Sequence, residues 1–171
     1  VDKLDKFSAL AICGLVLWCL LLLLTQPQGH EEQRHTPAMA GPRVDPALEQ
    51  KTTLVKNLLA SNNIDQAEKL LVDLVSSYPF EATLYFLKGD ISLYRQDPLG
   101  AMSQYRQAVD LNPDFLDKKS PLFQGKKIKK TVEEARLLIE KGLAANPGDP
   151  PMLAFRKEYY YMLRKIAGSC G

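Results

Sequence analysis

The stretch YFLKGDISLYRQDPLGAMSQYRQAVDLNP, residues 85–113, decides the fold. Its first part keeps apolar residues at helical spacing up to Tyr94, Gln96-Asp97-Pro98 punctuates it, and a second helical pattern then runs to Pro113. Two of its columns recur along the chain. Ala67, Ala101 and Ala135 lie 34 residues apart, and so do Pro79, Pro113 and Pro147. Between each Ala and its Pro lies a segment of one kind, beginning AEKLL, AMSQY and ARLLI. A fixed period of this length with small, apolar and Pro columns in register predicts an array of helix pairs that bury one face against their neighbours.

Upstream, Leu54, Val55, Leu58 and Leu59 keep helical spacing, and Ser61-Asn62-Asn63 reads as a helix-ending turn. Ile64, Ala67, Leu70, Leu71, Leu74 and Val75 give the next helix, stopped by Pro79. Ala67 is small where two helices must approach. Downstream, Ser120-Pro121 reads as an N-cap with Pro at the first helical position, so a short helix is expected there, weakened by Gly125. Thr131-Val-Glu-Glu134 reads as a capping box that opens a separate helix, its carboxylates answering the helix dipole. Residues 150–167 carry an apolar stripe of Met152, Phe155, Tyr159, Met162 and Ile166 and suit a terminal covering helix.

The stretch 85–113 resembles the tetratricopeptide repeat family. The family's packing glycine falls on Gly89, its aromatic on Tyr105, its second alanine on Ala108 and its terminal proline on Pro113. One position departs: Ser92 stands where an aromatic is usual, and Leu93 and Tyr94 are expected to fill the space. The resemblance implies an all-α fold, a right-handed superhelical solenoid of three repeats (48–81, 82–115 and 116–149) plus a capping helix, within a domain spanning 47–167. Two helices per repeat and the capping helix make seven expected helices. In this family the first helices line a concave groove that holds a peptide or partner helix. Placed in that register, Thr52, Lys56, Leu59, Phe86, Asp90, Leu93, Tyr94, Lys127, Glu158 and Tyr161 would line it. The rings would offer flat apolar surface and the charges would fix polar ends. The carboxylate clamp that some members build from lysines and asparagines is not reproduced.

Before the repeats, residues 7–24 read FSALAICGLVLWCLLLLL without a charge. As a helix this run is roughly 27 Å long, close to a hydrocarbon core, so residues 1–25 are expected to form an uncleaved transmembrane anchor. No small-x-small cleavage pattern follows it closely. Lys3 and Lys6 precede it, which places the remainder outside the cytoplasm. The initial Val, read as a GTG start, suggests a bacterial gene, hence the inner membrane with the repeats facing the periplasm. Residues 26–46 contain Pro27, Pro37, Pro42 and Pro46 and read as a flexible linker.

The net charge of +2 exerts no strong pull on nucleic acid, and no nucleic-acid partner is expected. It hides an asymmetry. Residues 44–115 hold ten acids against six bases, whereas 116–130 hold six lysines against one aspartate. Those lysines, Lys118, Lys119, Lys126, Lys127, Lys129 and Lys130, read as a solvated face, a docking surface for an acidic partner, or a contact with lipid headgroups. Tyr159, Tyr160 and Tyr161 span more than one helix face, so one ring at least is expected in solvent.

No catalytic constellation, cofactor or metal site is expected. His30 and His35 lie on the linker, and Cys13, Cys19 and Cys170 form no ligand spacing or disulfide framework. No Gly-rich phosphate loop or nucleophile elbow occurs. The layout is similar to periplasmic cytochrome c maturation factors and to the single-anchor repeat subunit of the bacterial secretion translocon. It implies a membrane-held adaptor that captures an extended client during envelope-protein assembly. The alternative is a permanent subunit docking through the lysines.

Overall fold

The computed structural model describes Trp18 and residues 45–168, and the unit Val44–Gly171 contains every helix discussed below. The apolar run 7–24, apart from Trp18, and nearly all of the linker lie outside the described residues. So does Cys170. Within residues 45–168 six α-helices follow one another: α1 (Pro46–Ala60), α2 (Ile64–Ser77), α3 (Ala82–Tyr94), α4 (Pro98–Leu111), α5 (Gly125–Ala145) and α6 (Pro150–Gly168). A 3-10 turn, Pro113–Phe115, follows α4, and no strand occurs among the described residues. The all-α class is therefore as expected. Among these residues no helix is long and apolar enough to cross a membrane.

The 34-residue period is visible in the backbone. Asn62 and Gln96, the turn residues of the first two pairs, both take positive φ, 61° and 58°. Asn63 N–H donates to Leu58 C=O, and Asp97 N–H donates to Ser92 C=O, the long closing bond of a left-handed helix cap. The ends of α2, α4 and α5 repeat as well: Tyr78, Asn112 and Asn146 each donate to the carbonyl four residues back. Left-handed backbone is strained for glutamine, whose Cβ crowds the next carbonyl. Gln96→Gly is accordingly expected to raise stability by about 0.5–1 kcal/mol, read as a higher midpoint in thermal denaturation. A lower midpoint would mean that the Gln96 side chain contributes more than its backbone strain costs.

At Lys130, one period beyond Gln96, there is no turn. The chain is helical from Gly125 to Ala145 without interruption. The expected short helix at Ser120-Pro121 and the expected capping box at Thr131 are both corrected by this. Thr131 is buried inside the helix, with its hydroxyl donating to Lys127 C=O. Glu134 pairs with Lys130, and Glu133 with Arg136, instead of capping. The cause is burial. Ile128, Thr131, Val132 and Ala135 form one unbroken buried face, and leaving Ile128 outside the helix would remove it from the core. Six helices therefore replace the expected seven. Asn146–Asp149 forms the tight connection from α5 to α6, closed by Asp149 N–H on Asn146 C=O. Residues 150–168 do form the covering helix: Met162 is fully buried, and Phe155, Tyr159 and Ile166 pack on the same core.

Two cores meet at α3. Leu84, Leu87 and Ile91 join Leu48, Val55, Leu59, Ala67, Leu71 and Leu74 of the first pair. Ala82 and Phe86 face the other way, into a core with Tyr105, Phe115, Ile128, Val132 and Met162. Helix α3 is thus covered on two sides, and its most extensive contact is with α4. The alanine column explains the approach: Ala67, Ala101 and Ala135 are each 0% exposed. The Tyr105 ring lies against Gly89, where a Cβ would come within 2.4 Å of Cε1.

Candidate groove between the third and fifth helices

Helix α5 packs on α4 and α6, and its first turns carry Lys127 to Asp90 of α3. Lys127 Nζ lies 2.7 Å from Asp90 Oδ1 and 5.1 Å from the centre of the Phe86 ring. Asp90 also accepts the Tyr105 hydroxyl. Burial, followed by the charge and hydrogen bond of Asp90, pushes that hydroxyl well above the ordinary tyrosine range. One carboxylate therefore ties together three helices and leaves two Lys127 protons for another acceptor.

Asp90, Leu93, Tyr94 and Lys127 line an open concavity of about 290 Å³. A second concavity of about 460 Å³ is lined by Leu93, Gln96, Pro98, Glu134, Leu137 and Leu138. Leu93 lines both, so the two concavities adjoin in one groove, with the Asp90–Lys127 pair in the first part and Leu137, Leu138 and Glu134 in the second. Tyr94 is 52% exposed in it, and Leu137 and Leu138 are also exposed. Ser92 is accordingly compensated differently from expectation: Leu93 packs on the core while Tyr94 turns into solvent.

The remaining expected groove residues lie elsewhere. Phe86 is 7% exposed and stacked between Tyr105 and Phe115, at 4.9 and 5.1 Å, so it is core and offers no flat surface to a partner. Thr52 and Leu59 are buried, also against expectation, while Lys56 is exposed on α1. Glu158 and Tyr161 on α6 face α4. Ser103 donates its hydroxyl to Glu158 Oε2 at 2.8 Å. Arg106 Nε comes within 2.7 Å of Glu158 Oε1, a charge pair whose N–H is not aimed along the contact. The Tyr161 hydroxyl donates to Asp110, beside Lys165, and Arg106, Arg164 and Lys165 surround its ring. These two residues fasten α6 to α4. Tyr160 is the exposed ring of the tyrosine triplet.

Gln96, Pro98, Glu134, Leu137 and Leu138 were not among the expected lining residues. A signal existed for the leucines. Two consecutive leucines on a helix point about 100° apart, so Leu137 and Leu138 cannot both share the face of Ala135 and Ile139. In comparisons with known proteins, no family model matches the chain, and no curated protein matches it.

Proposed function

We propose that the described unit is a tetratricopeptide-type superhelix acting as a protein-interaction scaffold, held to a bacterial inner membrane by residues 1–25 and facing the periplasm. Its groove holds an extended client segment, such as part of a cytochrome c or another secreted chain, during assembly of envelope proteins. No reaction is assigned to it. The observation that carries this proposal is the open groove between α3 and α5, with exposed Tyr94, Leu137 and Leu138 along it and the Asp90–Lys127 pair at one end. Exposed aromatic and aliphatic side chains in a concavity supply contact area, and an adjoining ion pair orients a polar backbone. The repeated left-handed caps and buried alanines support the repeat assignment.

Affinity purification of the full chain from membranes, compared with a Leu93→Ala/Tyr94→Ala variant, tests the proposal. Many substoichiometric unfolded secreted chains are expected with the parent, recovered at least tenfold less with the variant. A single stoichiometric complex that survives high salt and ignores the substitutions would instead make the chain a permanent subunit.

A further inference from the structure

The lysine-rich segment forms no short helix of its own before Gly125. Residues 116–124 form a folded loop. Phe115 and Leu116 are buried at its start, and Gln124 N–H donates to Phe115 C=O at 2.8 Å to close it. Inside it, Asp117 accepts from Lys119 N–H, and the Ser120 hydroxyl accepts from Leu122 N–H. The ordered turn leaves Leu122 43% exposed, with Pro121 exposed beside it. Lys118 and Lys119 emerge just after the start of the loop, and Lys126 just after its end.

Helix α5 divides the lysines. Lys127 leans toward α3 and pairs with Asp90. Lys126, Lys129 and Lys130 stand three and four residues apart, opposite the buried face of Ile128, Val132 and Ala135. Lys118, Lys119, Lys126 and Lys129 are exposed, and no ion pair engages them among the described residues. Lys130 is paired only loosely with Glu134, at 3.7 Å and with its own side chain 80% exposed.

We propose that this part of the molecule, the Lys118–Lys119 loop with exposed Leu122 and the Lys126, Lys129 and Lys130 face, docks on an anionic lipid surface. The choice of bases carries the assignment. All six in 116–130 are lysine and none is arginine. Protein-docking surfaces favour Arg and aromatic residues and are depleted in Lys, because a planar fork reads carboxylates in pairs. A diffuse field of headgroup charge requires no such geometry and attracts mobile point charges. Leu122, exposed among the lysines, matches a surface whose charged layer overlies hydrocarbon.

Residues 44–171 hold all six helices and both cores, so this unit, lacking the apolar run 7–24, is suitable for the test. It would be co-sedimented with phosphatidylcholine vesicles, with or without phosphatidylglycerol. Binding is expected only to the anionic vesicles, falling steeply with added salt. Each of Lys118→Gln, Lys119→Gln, Lys126→Gln and Lys129→Gln should weaken it about fivefold, and the four together at least a hundredfold. Leu122→Ala should weaken it further, with circular dichroism unchanged throughout. The matched variant Lys51→Gln/Lys56→Gln/Lys69→Gln/Lys157→Gln should bind like the parent. No binding to anionic vesicles would overturn the proposal, as would an equal loss in the matched variant. Equally tight, lysine-dependent binding to polyglutamate would assign the surface to an acidic protein and overturn it too.

Discussion

Tyr105→Ala is expected to lower the stability of the helical unit by about 4 kcal/mol, as large buried aromatics typically do when truncated. The ring is fully buried, stacks on Phe86 and fills the space above Gly89, so its removal opens a cavity where α3, α4 and α5 converge. For a unit of this size each kcal/mol moves the thermal midpoint by roughly 4 °C, so a fall of about 15 °C is anticipated. Tyr105→Phe keeps the ring and removes only the hydrogen bond to Asp90, which retains Lys127. Its loss should be smaller, about 1 kcal/mol. A midpoint for Tyr105→Ala no lower than that of Tyr105→Phe would contradict the packing described.

The same hydroxyl gives a pH dependence of known sign. Its folded pKa is raised above the ordinary value of 10.0, first by burial and then by Asp90. Its stabilising contribution is therefore complete below about pH 10 and declines above it, where the unfolded chain ionises and the folded one does not. Tyr105→Phe should accordingly flatten part of the alkaline fall in stability.

Gly89→Ala is expected to destabilise by about 2 kcal/mol, opposite in sign to helix propensity, which favours alanine by about 1 kcal/mol. The added methyl would meet Tyr105 Cε1 at 2.4 Å. That ring cannot yield, since Phe86 holds its face and Asp90 its hydroxyl. Overpacking against a fixed ring commonly costs about 1–3 kcal/mol and here must also outweigh the propensity gain. Gly142→Ala is a useful contrast. Its methyl would meet the flexible Met152 side chain at 2.9 Å, and Met152 can re-rotamerise. Near-neutral stability is expected there, and chemical denaturation of both variants would separate fixed from yielding neighbours. If Gly89→Ala proved stabilising, the close approach of α3 to α4 would be wrong.

Much of this was legible in the sequence because it depends on residue size at fixed spacing. Ala67, Ala101 and Ala135 are small for a reason that repeats, and Gly89 and Tyr105 interlock as the family resemblance implies. Thr131-Val-Glu-Glu134 misled because a capping pattern is local, whereas the helix start is decided by whether Ile128 reaches the core. Phe86 misled differently. Its register points toward a groove, but Phe115, brought in by the 3-10 turn after α4, covers the ring. Nothing local to Phe86 encodes that neighbour. Glu158 and Tyr161 belong to the same class, since Ser103, Arg106 and Asp110, all on α4, bind them across more than fifty residues of chain. Asp90, Leu93, Tyr94 and Lys127 line one concavity because they lie on helix faces that the register itself brings side by side.

Photo-crosslinking from single positions tests the client-holding groove most directly. A benzophenone side chain would replace Tyr94 or Leu138 in the groove, and Tyr160 on the far helix, in full-length protein in its native membranes. The groove proposal predicts polypeptide adducts from Tyr94 and Leu138, reduced when Leu93 is also replaced by alanine, and few from Tyr160. Adducts confined to Tyr160, with none from the two groove positions, would contradict it.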